Sequence, residues 1–235
     1  MSWVITGSEK TPVDKLGIQN VSLLLHGNAD GSGNILDSSP SPKTVSKFGN
    51  TASATPPSYP NSNSSFGNAI AFDGTGDNLR IGPSSDFTFG TGDFTCECWT
   101  YISAYDDKGL FQQTTSSFSF SGPTNSVAVG TNATKTWQIY AKNTNTNSTV
   151  EYVTNTWHHV ALIRHNAVTK LYVNGTAVIT VNSDDTNYTG TYFGVGSIFN
   201  TTISFNGYID EMRVTKGIAR YTSNFTPPTA PFPDI

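Results

Sequence analysis

The chain has 235 residues, a net charge of −4 and 13% charged residues, which is about half the share in an average globular protein. Thr, Ser and Asn account for 80 of the 235 residues, and these types are poor in helix interiors. The composition therefore argues against a mainly helical protein. Because 13 basic residues face 17 acidic ones, it also argues against nucleic-acid binding.

Short strands dominate the chain from one end to the other. Residues 1–20 are weakly patterned and predict an extended arm, Val21–Leu25 predicts a first strand, and the proline-containing residues 27–65 predict loops. Further strands are predicted at 69–72, 78–81, 94–102, 109–112, 117–120, 126–129, 136–140, 149–153, 157–164, 171–173, 176–181, 192–195, 203–205 and 207–214. A turn or short helix is expected around residues 218–221, and residues 227–235 form a proline-rich tail.

The spacing of these strands predicts one all-β domain over residues 21–226, an antiparallel sandwich or barrel. Asn174 and Gly175 suit a tight hairpin turn, because both tolerate the positive φ that it requires. Phe94, Cys96 and Cys98 alternate along one predicted strand and share a face. We therefore expect two buried thiols rather than a disulfide, since cysteines this close on a strand would make a strained bond.

Targeting signals are not evident in the sequence. The first residues lack a basic segment followed by an apolar run, so we expect no secretory signal. No stretch approaches the roughly 18 apolar residues of a membrane span, so we expect no membrane insertion.

Five motifs, in order, carry a family resemblance. They are FGNAIAFDGTGD (66–77), FTCECW (94–99), WHHV (157–160), LYVNG (171–175) and FNGYIDEMRV (205–214). The series resembles the laminin-G-like branch of the concanavalin A-like lectin/glucanase superfamily. The resemblance covers about residues 21–225 and implies an all-β jelly-roll sandwich of two curved antiparallel sheets. Residues 21–26 and 214–228 also resemble segments of tailed-phage structural proteins, including those of cyanophages.

A calcium ion is one interpretation of the sequence from Asp73 to Asp77. Asp73, Thr75 and Asp77 offer oxygen atoms on either side of two glycines, and calcium prefers oxygen ligands. The family resemblance adds Asp210 as a third candidate ligand. The alternative is a hairpin turn in which Asp73 and Asp77 only accept hydrogen bonds from the backbone.

Two polar loops are candidate sugar-binding sites. Residues 103–108 contain Tyr105, Asp106 and Asp107, and residues 183–190 contain Asp185 and Tyr188. An aromatic ring beside carboxylates can stack on a sugar and accept hydrogen bonds from its hydroxyls. Both loops are equally compatible with ordinary solvated turns.

Two tryptophans and two histidines lie on predicted strands. Trp99 and Glu97 share the face opposite the cysteines, and this face either stacks on a sugar or, with Trp157, fills the second side of a two-sheet core. His158 and His159 point to opposite faces, so one is expected in the core as a neutral imidazole and the other in solvent.

A glycosidase centre needs two carboxylates that face one substrate. The glucanase pattern Glu-x-Asp-x-x-Glu is not found in the sequence. Asp210 and Glu211 are adjacent, so strand geometry predicts that they point to opposite faces. We therefore expect that the protein is not an enzyme.

Together, these observations favour a non-enzymatic phage virion protein, in a capsid decoration or a tail fibre. Such a protein assembles in the host cytoplasm, which agrees with the missing signal. Its expected partners are other virion proteins or further copies of itself, and its loops are expected to bind host-surface polysaccharide. The alternatives are a stand-alone calcium-dependent lectin and a glycoside hydrolase.

Overall fold

The computed structural model describes residues 20–105, 108–115, 124–197 and 204–234. These ranges contain fifteen strands and three 3-10 helices of three residues each. The strands are β1 (Val21–Leu25), β2 (Val45–Phe48), β3 (Ala52–Ala54), β4 (Ala69–Asp73), β5 (Asn78–Ile81), β6 (Phe94–Ile102), β7 (Gly109–Thr114), β8 (Val127–Thr131), β9 (Thr136–Ala141), β10 (Thr144–Glu151), β11 (Trp157–His165), β12 (Val168–Val173), β13 (Thr176–Val181), β14 (Tyr192–Val195) and β15 (Asn206–Lys216). The helices are Pro60–Ser62, Ser64–Phe66 and Ser85–Phe87.

The strands form two antiparallel sheets packed face to face. The eight-stranded sheet has the order β13-β12-β11-β6-β15-β4-β3, with β1 also paired to β15. The seven-stranded sheet has the order β10-β9-β8-β7-β14-β5-β2. This arrangement confirms the predicted all-β jelly-roll sandwich, and it places β6 and β15 at the centre of the larger sheet.

Most predicted strands are present, and several have the predicted bounds. The bounds of β5, β6, β13 and β14 agree with the sequence pattern. The strands β2 and β3 were missed, because they lie in the segment that proline and glycine marked as loop. No helix forms around residues 218–221, and the strand predicted at 117–120 lies outside the described residues.

The core between the sheets is apolar. Phe94, Cys96 and Cys98 point into it from β6 together with residues from nearly every other strand. Both cysteines are free and buried, as predicted. The alternation of β6 therefore indicates correctly which of its side chains face the second sheet.

Two irregular segments cover the outer face of the eight-stranded sheet. The first, residues 55–66, packs Phe66 and Tyr59 against Trp99 and Trp157. The second, residues 217–234, is called the C-terminal strap below, and its Phe225 packs on the neighbouring part of the same face. As a result, all nine residues of β6 are buried.

The proline-rich end of the strap packs on the domain, where the sequence led us to expect a separate tail. Phe232 is buried beside Val21 and Leu24, and its backbone N–H donates to Glu211 Oε2 at 2.5 Å. The guanidinium of Arg213 lies 3.5 Å from the centroid of the Phe232 ring. Among the described residues, no helix has the length and apolar character needed to cross a membrane.

Candidate functional site

A polar cavity of about 270 Å³ opens where β4 ends and β15 begins. We call it the edge cavity, and its lining residues are Asn50, Ala71, Phe72, Asp73, Asp77, Ser103, Asn206, Gly207 and Tyr208. The antiparallel register sets Asn206 opposite Asp73. Gly207 adopts φ 147°, and a Cβ atom there would lie 1.9 Å from the carbonyl oxygen of Tyr101, so the close approach of β15 to β6 requires glycine.

The turn from Asp73 to Asp77 forms one wall of the edge cavity. Asp77 is buried; its Oδ1 accepts from Asn50 N at 2.7 Å and its Oδ2 from Asp73 N at 2.8 Å. Asp73 is exposed, and its Oδ1 accepts from Thr75 N at 2.7 Å. Both carboxylates therefore hold the turn, as the turn interpretation predicted, while Asp73 also presents a negative charge to the cavity.

Asp210, the third candidate calcium ligand, lies elsewhere. It pairs in register with Trp99 of β6 and lies four residues along β15 from Asn206, which is the register partner of Asp73. At about 3.3 Å per residue, Asp210 is therefore separated from Asp73 by about 13 Å. Within the described ranges, no group of three or more His, Cys, Asp or Glu side chains is arranged to hold a metal ion. Calcium binding by Asp73 and Asp77 stays a prediction.

A β-bulge overturns the prediction that Asp210 and Glu211 point to opposite faces. The register of β15 against β6 shifts between Asp210 and Arg213, and Glu211 adopts φ 52°. An extra residue in a strand interrupts the alternation of its side chains. Glu211 thus reaches His26 Nδ1 at 2.7 Å, while Asp210 lies close to Gly27, so the two carboxyl groups approach the same segment.

Burial, and secondarily the charge of Glu211, raises the pKa of Asp210 to about 9. The backbone N–H of Glu211 donates to Asp210 Oδ1 at 2.8 Å and opposes this rise. At neutral pH, Asp210 therefore carries a proton, because a buried carboxylate next to a second carboxylate is costly.

The two predicted ligand-binding loops lie at opposite ends of the sandwich. Tyr188 packs against Phe94, the first residue of β6, at a centroid distance of 5.9 Å, whereas Tyr105 follows the far end of that strand. Nine strand residues span about 30 Å. Tyr105 is 53% exposed, Asp185 is exposed, and Asp106 and Asp107 lie outside the described residues.

Tyr188 is not a surface residue, which corrects its assignment as a sugar-stacking side chain. It is fully buried, its hydroxyl donates to Asp184 Oδ2 at 2.7 Å, and Lys142 N donates to that hydroxyl at 3.0 Å. Arg164 lies 4.6 Å from its ring centroid. The aromatic ring and the hydroxyl therefore stabilise the loop, because both contact only other groups of the protein and neither is exposed to solvent.

Trp99 and Trp157 are buried, but on the outer face of the eight-stranded sheet rather than between the sheets. His158 faces the inner side, stacks edge-on with Trp137 and lies 2.8 Å from the carbonyl oxygen of Val153; burial lowers its pKa, so it is neutral. One of the two histidines was expected in solvent, yet His159, on the outer face, is buried as well. That expectation was wrong because the C-terminal strap covers this face.

The charged centre of the covered face was not predicted. Glu97 is fully buried and accepts from Arg213 Nε and Nη2 at 3.0 and 2.7 Å. His159 Nε2 lies 3.3 Å from Glu97 Oε2, and the Tyr221 hydroxyl donates to the same oxygen at 3.1 Å. The sequence signal was the single acidic residue inside an apolar strand, since a buried charge requires a partner.

Burial by itself would raise the pKa of Glu97, but Arg213, His159 and Arg220 together hold it well below its usual range. The carboxylate is therefore charged and paired at neutral pH. Because the strap covers it, this centre stabilises the domain and does not meet an external ligand.

The two packed antiparallel sheets form a jelly-roll β-sandwich, an architecture used by lectin domains. The family described as Laminin_G_3, Concanavalin A-like lectin/glucanases superfamily, matches residues 73–218, and the chain belongs to this family. A comparison with curated protein sequences finds no match.

Several solved structures share this fold. Domain 4 of AbnA, a GH43 extracellular arabinanase from Geobacillus stearothermophilus solved in complex with arabinotriose, shares 16% identity and a TM-score of 0.58, over 85% of this chain and 94% of that one. The botulinum neurotoxin serotype D binding domain shares 14% identity and a TM-score of 0.60, over 86% of this chain. The binding domain of botulinum neurotoxin DC in complex with SialylT shares 12% identity and a TM-score of 0.59. The chain spans about half of each toxin domain.

Proposed function

We propose that this chain is a non-enzymatic, lectin-like component of a phage virion and that its edge cavity binds host-surface glycan. The observation that carries the glycan part is the meeting of Asp73, Asn206 and Tyr208 in one cavity. Sugar hydroxyls both donate and accept hydrogen bonds, so a carboxylate beside an amide suits them. An aromatic side chain adds an apolar contact for the face of the sugar ring.

The size of the edge cavity supports a short sugar ligand. Its volume of about 270 Å³ lies just below the roughly 300–1,000 Å³ of sites that hold drug-sized ligands. One or two sugar residues fit such a space. Ser103 and Asn50 also line the cavity and supply further polar groups around a ligand.

The similar structures support the same class of ligand. One was solved with arabinotriose and another with SialylT, and both share the fold of this chain. The virion part rests on the resemblance of residues 21–26 and 214–228 to phage structural proteins. A surface low in charge and rich in Thr and Asn also suits contacts with other virion proteins or with further copies of the chain.

A polysaccharide array probed with the purified protein tests the glycan part. We expect binding to at least one bacterial surface glycan, and we expect Asn206→Ala and Tyr208→Leu each to weaken it about tenfold, the loss for one or two hydrogen bonds or a stacking contact. Asn145→Ala in the exposed strand β10 is the matched control and leaves binding unchanged. Unchanged binding by both cavity variants contradicts the assignment of the edge cavity.

Chelation separates the calcium-dependent lectin from a metal-free one. If calcium is bound at Asp73 and Asp77, EDTA abolishes array binding and added calcium restores it.

Incubation of the bound glycan with the protein, followed by an assay for new reducing ends, tests the non-enzymatic part, and glycan cleavage contradicts it. Mass spectrometry of purified particles tests the virion part, which fails if the chain is not found.

A further inference from the structure

A second cavity, of about 210 Å³, lies on the outer face of the eight-stranded sheet, between the β11–β12 hairpin and the C-terminal strap. We call it the hairpin cavity. Its lining residues are Ile163, His165, Asn166, Val168, Lys170, Tyr172, Tyr221 and Thr222. It shares no lining residue with the edge cavity, so the two are separate sites.

Strand alternation builds the floor of the hairpin cavity. Val168, Lys170 and Tyr172 are alternate residues of β12 and project from one face. Their register partners on β11 are His165, Ile163 and Ala161. Because Ala161 and Ala177, which flank Tyr172 in register, are small, they leave room above the sheet beside the tyrosine ring.

The strap supplies the wall. Tyr221 stacks on Phe225 with ring centroids 3.6 Å apart and planes inclined by 6°, and Phe225 in turn contacts Tyr172 at 5.6 Å. The Tyr221 hydroxyl is anchored on buried Glu97. These contacts hold the wall in a single position before any ligand arrives, which lowers the entropic cost of binding.

The Tyr172 hydroxyl is a polar group without a partner in the protein. Tyr172 is only 2% exposed and lines the cavity, yet no described residue hydrogen-bonds its hydroxyl. The hydroxyl is not one of the buried side-chain atoms left without a hydrogen bond, so it reaches the open side of the cavity. It can therefore donate to a ligand that enters from solvent.

Lys170 gives the hairpin cavity its charge. Its ammonium has no ion-pair partner among the described residues and lies on the same face as Tyr172. His165, by contrast, is engaged, with Nδ1 2.9 Å from Asp93 Oδ2 and Nε2 3.0 Å from Asn166 Nδ2. The lining of the cavity contains no carboxylate. An anionic ligand would therefore find the unpaired ammonium of Lys170 and the hydroxyl of Tyr172 as hydrogen-bond donors.

We propose that the hairpin cavity binds one carboxylate-bearing sugar residue of an acidic glycan. Lys170 and the Tyr172 hydroxyl donate to the carboxylate, while Ile163, Val168 and Tyr221 contact the apolar face of the ring. The volume restricts the ligand to a single sugar residue. The inference deepens the proposed function, since it takes the ligand to be a glycan, but it uses a different site.

Calorimetric titration with trigalacturonate, and with galactotriose as the neutral counterpart, tests the proposal. We expect the acidic trisaccharide to bind more tightly and to lose affinity as salt rises, since ionic contacts are screened. Lys170→Gln weakens trigalacturonate binding about tenfold, the effect of one hydrogen-bonded charge, whereas Lys170→Arg retains most of it. Tyr172→Phe keeps the ring, removes the hydroxyl and weakens binding about threefold. Lys47→Gln, on β2 of the other sheet, is the matched control and has no effect.

Equal affinities for the two trisaccharides, no binding of trigalacturonate, or full affinity in Lys170→Gln would overturn the proposal. Failure of the hairpin-cavity proposal can be distinguished from failure of the edge-cavity proposal. If array binding depends on Asn206 but trigalacturonate does not bind, only the hairpin cavity is refuted. If trigalacturonate binding depends on Lys170 while array binding is unchanged in Asn206→Ala and Tyr208→Leu, the hairpin cavity stands and the edge assignment falls. Circular dichroism of each variant separates loss of binding from loss of fold.

Discussion

The two faces of the eight-stranded sheet are both buried, but different forces stabilise them. On the inner face, Phe94, Cys96 and Leu162 pack against the second sheet. On the outer face, Glu97 is ion-paired with Arg213, and irregular segments cover the tryptophans beside them. The comparison shows that segments outside the two sheets can bury a sheet face, and that a face buried in this way can also hold an ion pair.

The difference between the two faces predicts how each responds to change. On the inner face, a truncated side chain leaves a cavity. On the outer face, a removed partner leaves a buried charge, which is the more expensive defect. The following four predictions test this contrast, from the largest expected effect to the smallest.

Arg213→Met is expected to lower the free energy of unfolding by about 3–5 kcal/mol, because it leaves the carboxylate of Glu97 buried with only the weaker pairing of His159 and Arg220. Urea denaturation followed by tryptophan fluorescence measures the loss. The double variant Glu97→Gln/Arg213→Met should recover part of it, since no charge is then left unpaired. A loss below about 1 kcal/mol for the single variant would show that the pair behaves like an exposed one.

Leu162→Ala on the inner face is expected to cost about 3 kcal/mol through the cavity it creates. Leu162 is fully buried in the core between the sheets. The same urea titration gives the value, and Leu162→Met, which conserves volume, should cost less than about 1.5 kcal/mol. If Leu162→Ala destabilises more than Arg213→Met, the proposed ranking of the two faces is reversed.

Asp210→Asn is expected to stabilise the protein at pH 8, because the amide carries no charge in either the folded or the unfolded state. The folded protein holds a proton on Asp210 up to a pKa of about 9, whereas the unfolded chain releases it near 3.8. The folded state therefore binds more protons between these values, and stability falls as pH rises through that window. Urea midpoints at pH 5 and pH 8 should differ less in the variant than in the parent, and an unchanged difference refutes the assignment.

Trp157→Phe is expected to cost about 1 kcal/mol, the smallest effect of the four. It keeps an aromatic ring on the outer face but removes the bond from Trp157 Nε1 to Ser58 O at 2.7 Å, which holds residues 55–66 on the sheet. Limited proteolysis should cut that segment faster in the variant. Equal cleavage rates would show that aromatic packing alone holds it.

Local patterns in the sequence predicted much of the fold. The alternation of β6 and the hairpin at Asn174 and Gly175 follow from neighbouring residues only, and the turn has the expected positive φ values of 49° and 78°. The turn contacts of Asp73 and Asp77 were likewise foreseen, because the donors and acceptors lie within a few residues of each other.

The candidate sites, in contrast, are formed by contacts between residues that are far apart in the sequence. The meeting of Asp73 with Asn206 requires the register of two strands 133 positions apart in sequence, and no local pattern records it. The bulge at Glu211 reversed the expected facing of a carboxylate, and the strap buried His159, although alternation had predicted that one of the two histidines faces solvent. Tyr172 and Lys170 did not stand out in the sequence, since each is an ordinary strand residue until the strap closes over them.

The sequence by itself determined the fold class, the family and the alternation of the central strands, because these depend on residue spacing and backbone preferences. Only the tertiary structure decided which face is accessible, which carboxyl groups are charged and which residues share a cavity. The reason is physical: burial and charge pairing depend on segments that are distant along the chain and adjacent in space.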